Sequence, residues 1–223
     1  MVDEEHRSRA DVRRTYERIG EHFSQTREYP WPEVEAFVEG SRPTVALDLG
    51  CGNGRHAALL AGHAETVLAF DASRTLLLEA RQRTADTSGS VALLQGDAAG
   101  LPIRPGTVDL AVYVATLHHL PTADARRRSL DELARVLAPD GRALVSAWST
   151  AHDRFDADAD ATEGFDTTLD WTLPDGTVVE RFYHIYSPAE FEAAICRSNL
   201  DLIEFEVSSG NCYATVGVER KHP

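Results

Sequence analysis

The segment at residues 45–54 constrains the fold of this chain more than any other. It reads Val-Ala-Leu-Asp-Leu-Gly-Cys-Gly-Asn-Gly, with glycine at every second position from Gly50 to Gly54. A short apolar run that ends in glycines is typical of a buried strand, and the glycines permit a tight turn close to a ligand. A helix starting near Arg55 would present free N–H groups to a polar or anionic group at that turn. We therefore predict a strand, a ligand-binding turn and a helix.

Strand-like and helix-like segments alternate along most of the chain. Apolar runs predict further parallel strands at residues 66–71, 91–95, 108–114 and 142–148. Amphipathic or apolar-faced runs between them predict helices at 55–62, 73–84 and 124–137. The alternation predicts an α/β fold with a doubly wound, mostly parallel sheet of seven strands. Its last two strands, at 201–207 and 213–219, are predicted to form a hairpin.

The remaining segments are predicted to extend this single domain at residues 1–223. Residues 1–40 form an N-terminal helical cap, with an apolar stripe that includes Tyr16 and Phe23. Residues 149–186 form an acidic insert after the fifth strand, in which a Pro-Asp-Gly turn ending at Gly176 predicts a hairpin flap. The aspartates of the insert are better explained as a solvated loop than as a calcium site, so no metal is predicted.

The charge of the chain limits what it can bind. It has 36 acidic and 22 basic residues, a net charge of −14, and a single lysine, Lys221. Such a balance argues against a general nucleic-acid binder, and no binding to DNA is expected. Lysine depletion favours adaptation to high salt, where a Debye length of about 3 Å at 1 M would let an acidic surface approach RNA; full stability in dilute buffer would contradict this hypothesis. No apolar run approaches the ~20 residues of a membrane span, so we expect a cytoplasmic protein without membrane attachment.

Acidic residues follow the second and third strands where a nucleoside site needs them. Asp71 comes 21 residues after Gly50 (71 − 50), the position from which a carboxylate accepts hydrogen bonds from ribose hydroxyls. Asp97 ends the third strand. A nicotinamide-binding turn, G-x-G-x-x-G, would need glycine where this chain has Arg55. The sequence thus favours a nucleoside ligand other than a nicotinamide dinucleotide.

The glycine turn, preceded by Asp48, resembles motif I of the class I S-adenosylmethionine (SAM)-dependent methyltransferases. This resemblance implies SAM as the cofactor and S-adenosylhomocysteine as the product. Asp97 is similar to the family's acid near the adenine amino group. The residues that the resemblance assigns to cofactor binding are Asp48, Gly50, Gly52, Asn53, Gly54, Asp71, Ala72, Asp97, Ala98 and Val114.

Four further motifs narrow the resemblance. They are His-Phe-Ser-Gln-Thr-Arg-Glu-Tyr-Pro-Trp-Pro at 22–32, Thr-Leu-His-His-Leu at 116–120, Arg-Phe-Tyr-His-Ile-Tyr at 181–186 and Gly-Asn-Cys at 210–212. In this order they resemble the tRNA wobble-uridine carboxymethyl methyltransferases and the methyltransferase domain fused to an AlkB-type hydroxylase. That family esterifies the carboxylate of 5-carboxymethyluridine. Cys212, where the family more often has tryptophan, and the short acidic insert are departures that concern RNA docking.

The acceptor site should hold an anion, because a carboxylate is already ionised at neutral pH and needs no general base. The catalytic candidates are Arg27, His119 and Arg181, and the substrate-binding candidates are Trp31, His118, Tyr183, His184 and Asn211. On an alternating strand Arg181 and Tyr183 share one face and His184 lies on the other, so they cannot all face the substrate. Trp31 could instead be core, either histidine could cap its loop, and Asn211 could serve its turn.

In the class I topology that the resemblance implies, the third strand, at residues 91–95, lies at one edge of the sheet. It contains no lysine or proline to block pairing. The resemblance implies two partners: tRNA, and a small zinc-binding activator protein that would pair with this strand. A loop or the N-terminal helix could cover the strand instead. Two alternative functions stay open, a small-molecule methyltransferase on the same fold and a SAM-binding subunit without catalysis of its own.

Overall fold

The computed structural model describes residues 8–155 and 161–218. The helices are α1 (Arg9–Gln25), α2 (Pro32–Val38), α3 (Arg55–Leu60), α4 (Arg74–Arg83), α5 (Ala123–Val136) and α6 (Pro188–Cys196). The strands are β1 (Val45–Leu49), β2 (Thr66–Asp71), β3 (Ser90–Gln95), β4 (Val108–Tyr113), β5 (Leu137–Trp148), β6 (Phe165–Thr172), β7 (Val178–Ile185), β8 (Asp201–Ser208) and β9 (Asn211–Gly217). The predicted aspartates at 156–160 and Lys221 lie outside the described residues.

The main sheet has seven strands in the order β3-β2-β1-β4-β5-β9-β8. The first five are mutually parallel, whereas β9 runs antiparallel to both β5 and β8. Apolar side chains cover both faces of the sheet: Leu47 packs with the α5 side of the core, and Ala46 with the α2 and α3 side. Burial on both faces explains why the parallel strands are nearly continuous apolar runs. The predicted doubly wound, mostly parallel fold is confirmed.

Two segments differ from the prediction in their extent. The hairpin predicted around the Pro-Asp-Gly turn is present as a separate two-stranded sheet in which β6 pairs antiparallel with β7, but β6 already begins at Phe165. The side chains of Leu169 and Trp171 in β6 are partly buried, so these apolar residues favour a packed strand although the segment also contains acidic residues. Strand β5 begins at Leu137, earlier than predicted, because Leu137 already pairs with Val108 before a register shift interrupts the ladder.

Helix α1 packs against α4 on the side of the sheet where the carboxyl ends of the parallel strands lie. The carboxylate of Glu17 accepts hydrogen bonds from the backbone N–H groups of Arg74 at 2.8 Å and Thr75 at 3.0 Å, and so satisfies the first turn of α4. Gly20 allows close approach, because a Cβ there would lie 2.8 Å from Cγ2 of Thr75. None of the helices in the described ranges combines the length and apolar character needed to cross a membrane.

Candidate active site

A cavity of about 850 Å³ lies at the carboxyl ends of β1 to β4, beneath α1. Part of its lining comes from the strand ends, including Gly50, Asp71 and Asp97; we call this part the cofactor half. The rest comes from α1, the loop after it, the short 3-10 helix Leu117–His119 and β7, including Arg27 and Arg181; we call this part the acceptor half. Carboxyl ends of parallel strands are where this architecture binds ligands.

The three glycines of the turn meet different requirements. Gly50 has a φ of +75°, and an added Cβ would lie 2.6 Å from Cβ of Thr116 at the end of β4. Gly54 has a φ of +77°, and its Cβ would lie 2.9 Å from Cβ of Ala80 in α4. Gly52 also has a positive φ, of +53°, but no protein atom lies within 4 Å of an added Cβ. Two glycines therefore allow tight packing, and Gly52 leaves open space for a ligand.

Two carboxylates are fixed in the cofactor half. Asp71 accepts the backbone N–H of Gly52 on Oδ2 and that of Ser73 on Oδ1, each at 2.8 Å. Burial raises the pKa of Asp71, although both backbone hydrogen bonds oppose this shift. Asp97 accepts the N–H of Ala99 at 2.9 Å and forms an ion pair with Arg9 of α1. Both carboxylates keep lone pairs for a ribose and an adenine amino group, so these residues fit the predicted cofactor.

Asp48 lies behind the cavity wall rather than in it. Its side chain is buried, and Oδ2 has no hydrogen-bond partner. Burial, reinforced by the charge of Asp71, raises the pKa of Asp48 from 3.8 to about 7. Gly54 also does not line the cavity, whereas the other eight predicted cofactor-binding residues do. Direct contact with the cofactor is therefore wrong for Asp48 and Gly54, which shape the turn from behind.

We expect Asp48→Asn to stabilise the chain at pH 8. Because the pKa is raised on folding, the protonated carboxyl favours the folded state at low pH, and that contribution is lost as the pH rises through about 7. The difference between a pKa of 3.8 and one of about 7 corresponds to ~4 kcal/mol of stability, which a chain with the neutral amide would not lose at high pH. Urea unfolding from pH 4 to pH 8 should show that the variant has a higher unfolding free energy than the wild type, and that this difference grows up to about pH 7. A gain independent of pH would contradict the assignment.

Asn53 connects the glycine turn to the end of α1. Its side-chain amide donates to the backbone carbonyls of Ser24 at 3.1 Å and Arg27 at 2.8 Å. The residue lines the cavity, but its N–H groups are occupied by these carbonyls. Asn53 therefore acts as a positioning residue for the loop that carries Arg27, and its predicted contact with the cofactor stays a prediction.

Arg181 is a buried cation in the acceptor half. Its side chain is 8% exposed, and its guanidinium lies 4.8 Å from the ring centroid of Trp171 and 5.2 Å from that of Tyr183. Nε has no hydrogen-bond partner. Within the described ranges, Arg181 takes part in no ion pair. A buried charge without a counterion is costly unless an anionic ligand joins it, so Arg181 marks an anion-binding position.

The two histidines of the 3-10 helix are neutral. Nδ1 of His119 donates to the carbonyl of Phe182 at 3.0 Å, which leaves Nε2 to accept the hydroxyl of Tyr16 at 2.9 Å. Burial lowers the pKa of His119 to about 4. His118 accepts the backbone N–H of Trp148 on Nδ1 at 3.0 Å, and burial holds its pKa well below the usual value. His119 lines the cavity with both ring nitrogens occupied, so it positions Tyr16 and β7, and its catalytic role stays a prediction.

Arg27 and Trp31 both line the cavity, but they do not pair with each other. The guanidinium of Arg27 lies 4.9 Å from the ring centroid of Phe23, and Nη1 donates to the carbonyl of Thr26. The ring of Trp31 is instead covered by Arg55, whose guanidinium lies 5.3 Å away. Desolvation on burial lowers the pKa of Arg27. Arg27 thus remains a candidate for holding an acceptor anion beside Arg181.

The prediction that His184 and Asn211 bind the substrate is wrong, because neither residue lines the cavity. His184 is held between two carboxylates, with Nδ1 at 2.6 Å from Asp166 and Nε2 at 2.9 Å from Glu190. It joins β6, β7 and α6. It lies on the face of β7 opposite to Arg181, as the alternation along the strand predicts. Asn211 is buried and donates to the carbonyl of Ser209 in its own turn.

Several cavity residues were missed from the sequence: Tyr16, Arg55, Thr116 and Trp148. Trp148 ends β5, so the strand-end rule that identified Asp71 and Asp97 also applies to it. Tyr16 belongs to the apolar stripe of α1, and such a stripe predicts packing against the rest of the domain. Arg55 served only to exclude a nicotinamide turn. The acceptor half consequently contains more aromatic surface than predicted, including a stacked pair of Trp148 and Tyr183 with centroids 5.0 Å apart.

Comparison with known proteins gives relatives among methyltransferases. Residues 47–145 match a family described as a methyltransferase domain. The putative methyltransferase ECU09_1500 of Encephalitozoon cuniculi is 32% identical over 180 residues, covering 78% of this chain and 80% of that protein.

Two other relatives are named tRNA (carboxymethyluridine(34)-5-O)-methyltransferase. The Arabidopsis thaliana protein is 37% identical over 144 residues, and the Mus musculus protein ALKBH8 is 34% identical over 139 residues. The matches cover 64% and 62% of this chain, but only 33% and 20% of the relatives. The chain therefore corresponds to a third or less of the length of these curated relatives.

Solved structures confirm the fold. The structure of the DhpI–SAH complex matches this chain with a TM-score of 0.71 at 21% identity, and the match covers 95% of this chain and 97% of that chain. A putative methyltransferase in complex with the Haloferax volcanii Trm112 methyltransferase activator has a TM-score of 0.68 at 15% identity, covering 95% and 99%. With the glycine turn and the acids at the strand ends, the sequence matches show that the chain belongs to the class I S-adenosylmethionine-dependent methyltransferase family.

Proposed function

We propose that this chain is a tRNA methyltransferase that esterifies the carboxylate of 5-carboxymethyluridine at the wobble position. The observation that carries the proposal is Arg181, a buried guanidinium without an ion-pair partner in the described residues, at the acceptor half of the cavity. An arginine fork matches the two oxygens of a carboxylate. The names of the Arabidopsis and mouse relatives support this acceptor over other carboxylates.

The aromatic side chains of the acceptor half suit a planar base attached to that carboxylate. Trp148 and Tyr183 are stacked with an interplanar angle of 14°, and Tyr183 also lies 4.5 Å from the ring of His119. Tyr16 and Phe23 of α1 complete the aromatic lining. Unpaired bases are commonly bound between aromatic and guanidinium planes, so this lining favours an extruded nucleotide over an aliphatic acid.

The chemistry requires alignment more than proton transfer. Bound SAM supplies a methyl group on a positively charged sulfur. Because the acceptor is already ionised near pH 7, its oxygen can form the new ester bond without a general base, as the bond between sulfur and methyl breaks. Arg181, with Arg27 on the facing loop, would hold the carboxylate at attack distance. Neutral His118 and His119 add no positive charge that would compete for the anion.

A methylation assay tests the proposed function. The full chain, purified with any protein that accompanies it, is incubated with SAM and tRNA that carries 5-carboxymethyluridine. Digestion to nucleosides and mass spectrometry should reveal the methyl ester. Control reactions contain tRNA with an unmodified wobble uridine, or small aliphatic carboxylic acids. Methylation of the small acids without methylation of the tRNA would contradict the proposal.

The edge strand β3 supports a protein partner. In the described part of the chain β3 pairs only with β2 and ends the main sheet on that side. The Haloferax volcanii neighbour was solved with the Trm112 activator. We infer that a small zinc-binding activator of this kind adds a strand to β3.

Hydrogen exchange tests this pairing. We expect the amides of β3 to become protected when the activator binds, while those of β8 at the opposite edge of the sheet stay unchanged. The complex should also contain zinc. A fully active chain that purifies alone, or protection at β8 instead of β3, would contradict the assignment.

A further inference from the structure

The loop at residues 26–31 presents an aromatic ring to solvent at the rim of the cavity. Tyr29 is 71% exposed, more than any other large hydrophobic side chain in the described ranges. Its neighbours Arg27 and Trp31 both line the cavity, so the loop passes directly along its opening. An exposed tyrosine alone needs no explanation, but its surroundings distinguish this one.

The backbone of this loop is held by side chains from three elements. Arg55 donates to the carbonyl of Tyr29 at 3.3 Å, and Arg83 donates to the carbonyl of Glu28 at 2.7 Å. Asn53 donates to the carbonyl of Arg27 at 2.8 Å. Pro30 further restricts the backbone next to the tyrosine. The exposed ring is therefore carried on a fixed loop, as a binding surface requires.

The same loop collects positive charge on an acidic chain. Arg27, Arg55 and Arg83 donate to backbone carbonyls, and in the part of the chain that the structure describes none of them forms an ion pair. Burial, together with the charge of Arg27, lowers the pKa of Arg55 to about 10. Two acids act on this part of the surface: buried Asp48, whose charge opposes the shift at Arg55, and Glu28, whose carboxylate raises the pKa of the Tyr29 hydroxyl. Unneutralised arginines beside an exposed ring favour a ligand with phosphates and bases.

We propose that Tyr29, Arg55 and Arg83 form a landing site for the single-stranded RNA next to the target uridine. Tyr29 stacks on the base adjacent to the one that enters the cavity, and the two arginines face the neighbouring phosphates. A nucleotide that enters a pocket leaves its stack, so the adjacent base loses a partner that an aromatic ring can replace. This inference rests on the proposed tRNA function, since it places the RNA around the same cavity.

The test compares Tyr29→Ala, Tyr29→Phe and the control Ile203→Ala, which truncates another exposed apolar side chain on β8. The probe is an anticodon stem-loop RNA with 5-carboxymethyluridine at the wobble position. Binding is measured by fluorescence anisotropy, methylation by steady-state kinetics, and S-adenosylhomocysteine binding by calorimetry. Tyr29→Ala should raise the KM and Kd for the RNA about tenfold, the size expected for one lost base-aromatic stack. Its kcat and its affinity for S-adenosylhomocysteine should stay within about twofold, as should every parameter of Tyr29→Phe and Ile203→Ala.

Each outcome decides between the two proposals. Normal RNA binding by Tyr29→Ala, in a chain whose wild type methylates the stem-loop, would overturn the landing site and leave the proposed function intact. An equal loss of S-adenosylhomocysteine binding would also overturn it, because Tyr29 would then support the fold of the loop instead. If the wild type, assayed together with the protein that accompanies it, neither binds nor methylates the stem-loop, the proposed function fails, and the landing site fails with it.

Discussion

We expect Arg181→Met to lower the rate of methyl transfer to carboxymethyluridine tRNA by about a hundredfold, the usual loss when a charged donor aimed at a reacting anion is removed. The guanidinium lies between the rings of Trp171 and Tyr183 and has no carboxylate partner in the described ranges. Its charge is therefore available to the acceptor. Single-turnover kinetics with saturating SAM would measure the effect, since it isolates the transfer step.

The same variant separates a functional arginine from a structural one. Methionine fills a similar volume and removes a buried charge that lacks a counterion, so the unfolding free energy should stay the same or rise. Arg181→Lys keeps the charge but loses the planar fork, and we expect a loss of about tenfold. The matched control is Arg127→Ala on α5, an exposed arginine paired with Asp131, which should change neither quantity measurably. A large loss of stability in Arg181→Met with normal transfer would contradict the anion-binding role.

The second large effect is expected for Gly50→Ala. An alanine at a φ of +75° costs roughly 1–2 kcal/mol, and overlap of its Cβ with the side chain of Thr116 adds ~1–3 kcal/mol. We therefore expect the unfolding free energy to fall by about 3 kcal/mol. If the turn shifts to relieve the overlap, affinity for S-adenosylhomocysteine should fall about a hundredfold, the equivalent of a similar energy. Urea unfolding and calorimetry would measure the two losses.

Two other glycines provide controls of graded severity. Gly100 has open space around an added Cβ and no positive φ, so Gly100→Ala should be nearly neutral. Gly52→Ala combines a φ of +53° with open space, so it should cost the backbone strain without the overlap. Thr116→Gly in the Gly50→Ala background should restore part of the lost stability. Equal effects at Gly50 and Gly100 would contradict this account of the turn.

Much of the fold followed from local patterns. Short apolar runs ending in glycine or aspartate, separated by helical periodicity, determine a parallel sheet, because right-handed crossovers leave few other arrangements. The same rule placed Gly50, Asp71 and Asp97 together, since the carboxyl ends of parallel strands meet at one edge. The edge position of β3 followed instead from the class I topology that the family resemblance implies. Cofactor class and family resemblance both depend on this part of the sequence.

Other positions depend on contacts between distant segments, and local patterns cannot rank them. The alternation along β7 placed Arg181 and His184 on opposite faces of the strand. It did not decide which of the two faces the cavity. That choice was made by docking of the β6–β7 hairpin, where the carbonyl of Phe182 accepts a hydrogen bond from His119, and by the carboxylates of Asp166 and Glu190 around His184.

By itself, the sequence determined the alternation of strands and helices, the glycine turn and the acids of the cofactor half, because these follow from backbone sterics and strand polarity within short segments. Only the tertiary structure decided that α1 lies over the cavity, that Asn53 serves the loop at residues 26–31, and that Arg181 is buried without a counterion in the described residues. Charge, burial and hydrogen bonding of a side chain depend on neighbours from distant parts of the chain. The glycine turn therefore indicates the methyl donor, whereas the acceptor is indicated by side chains that come together only when the chain folds.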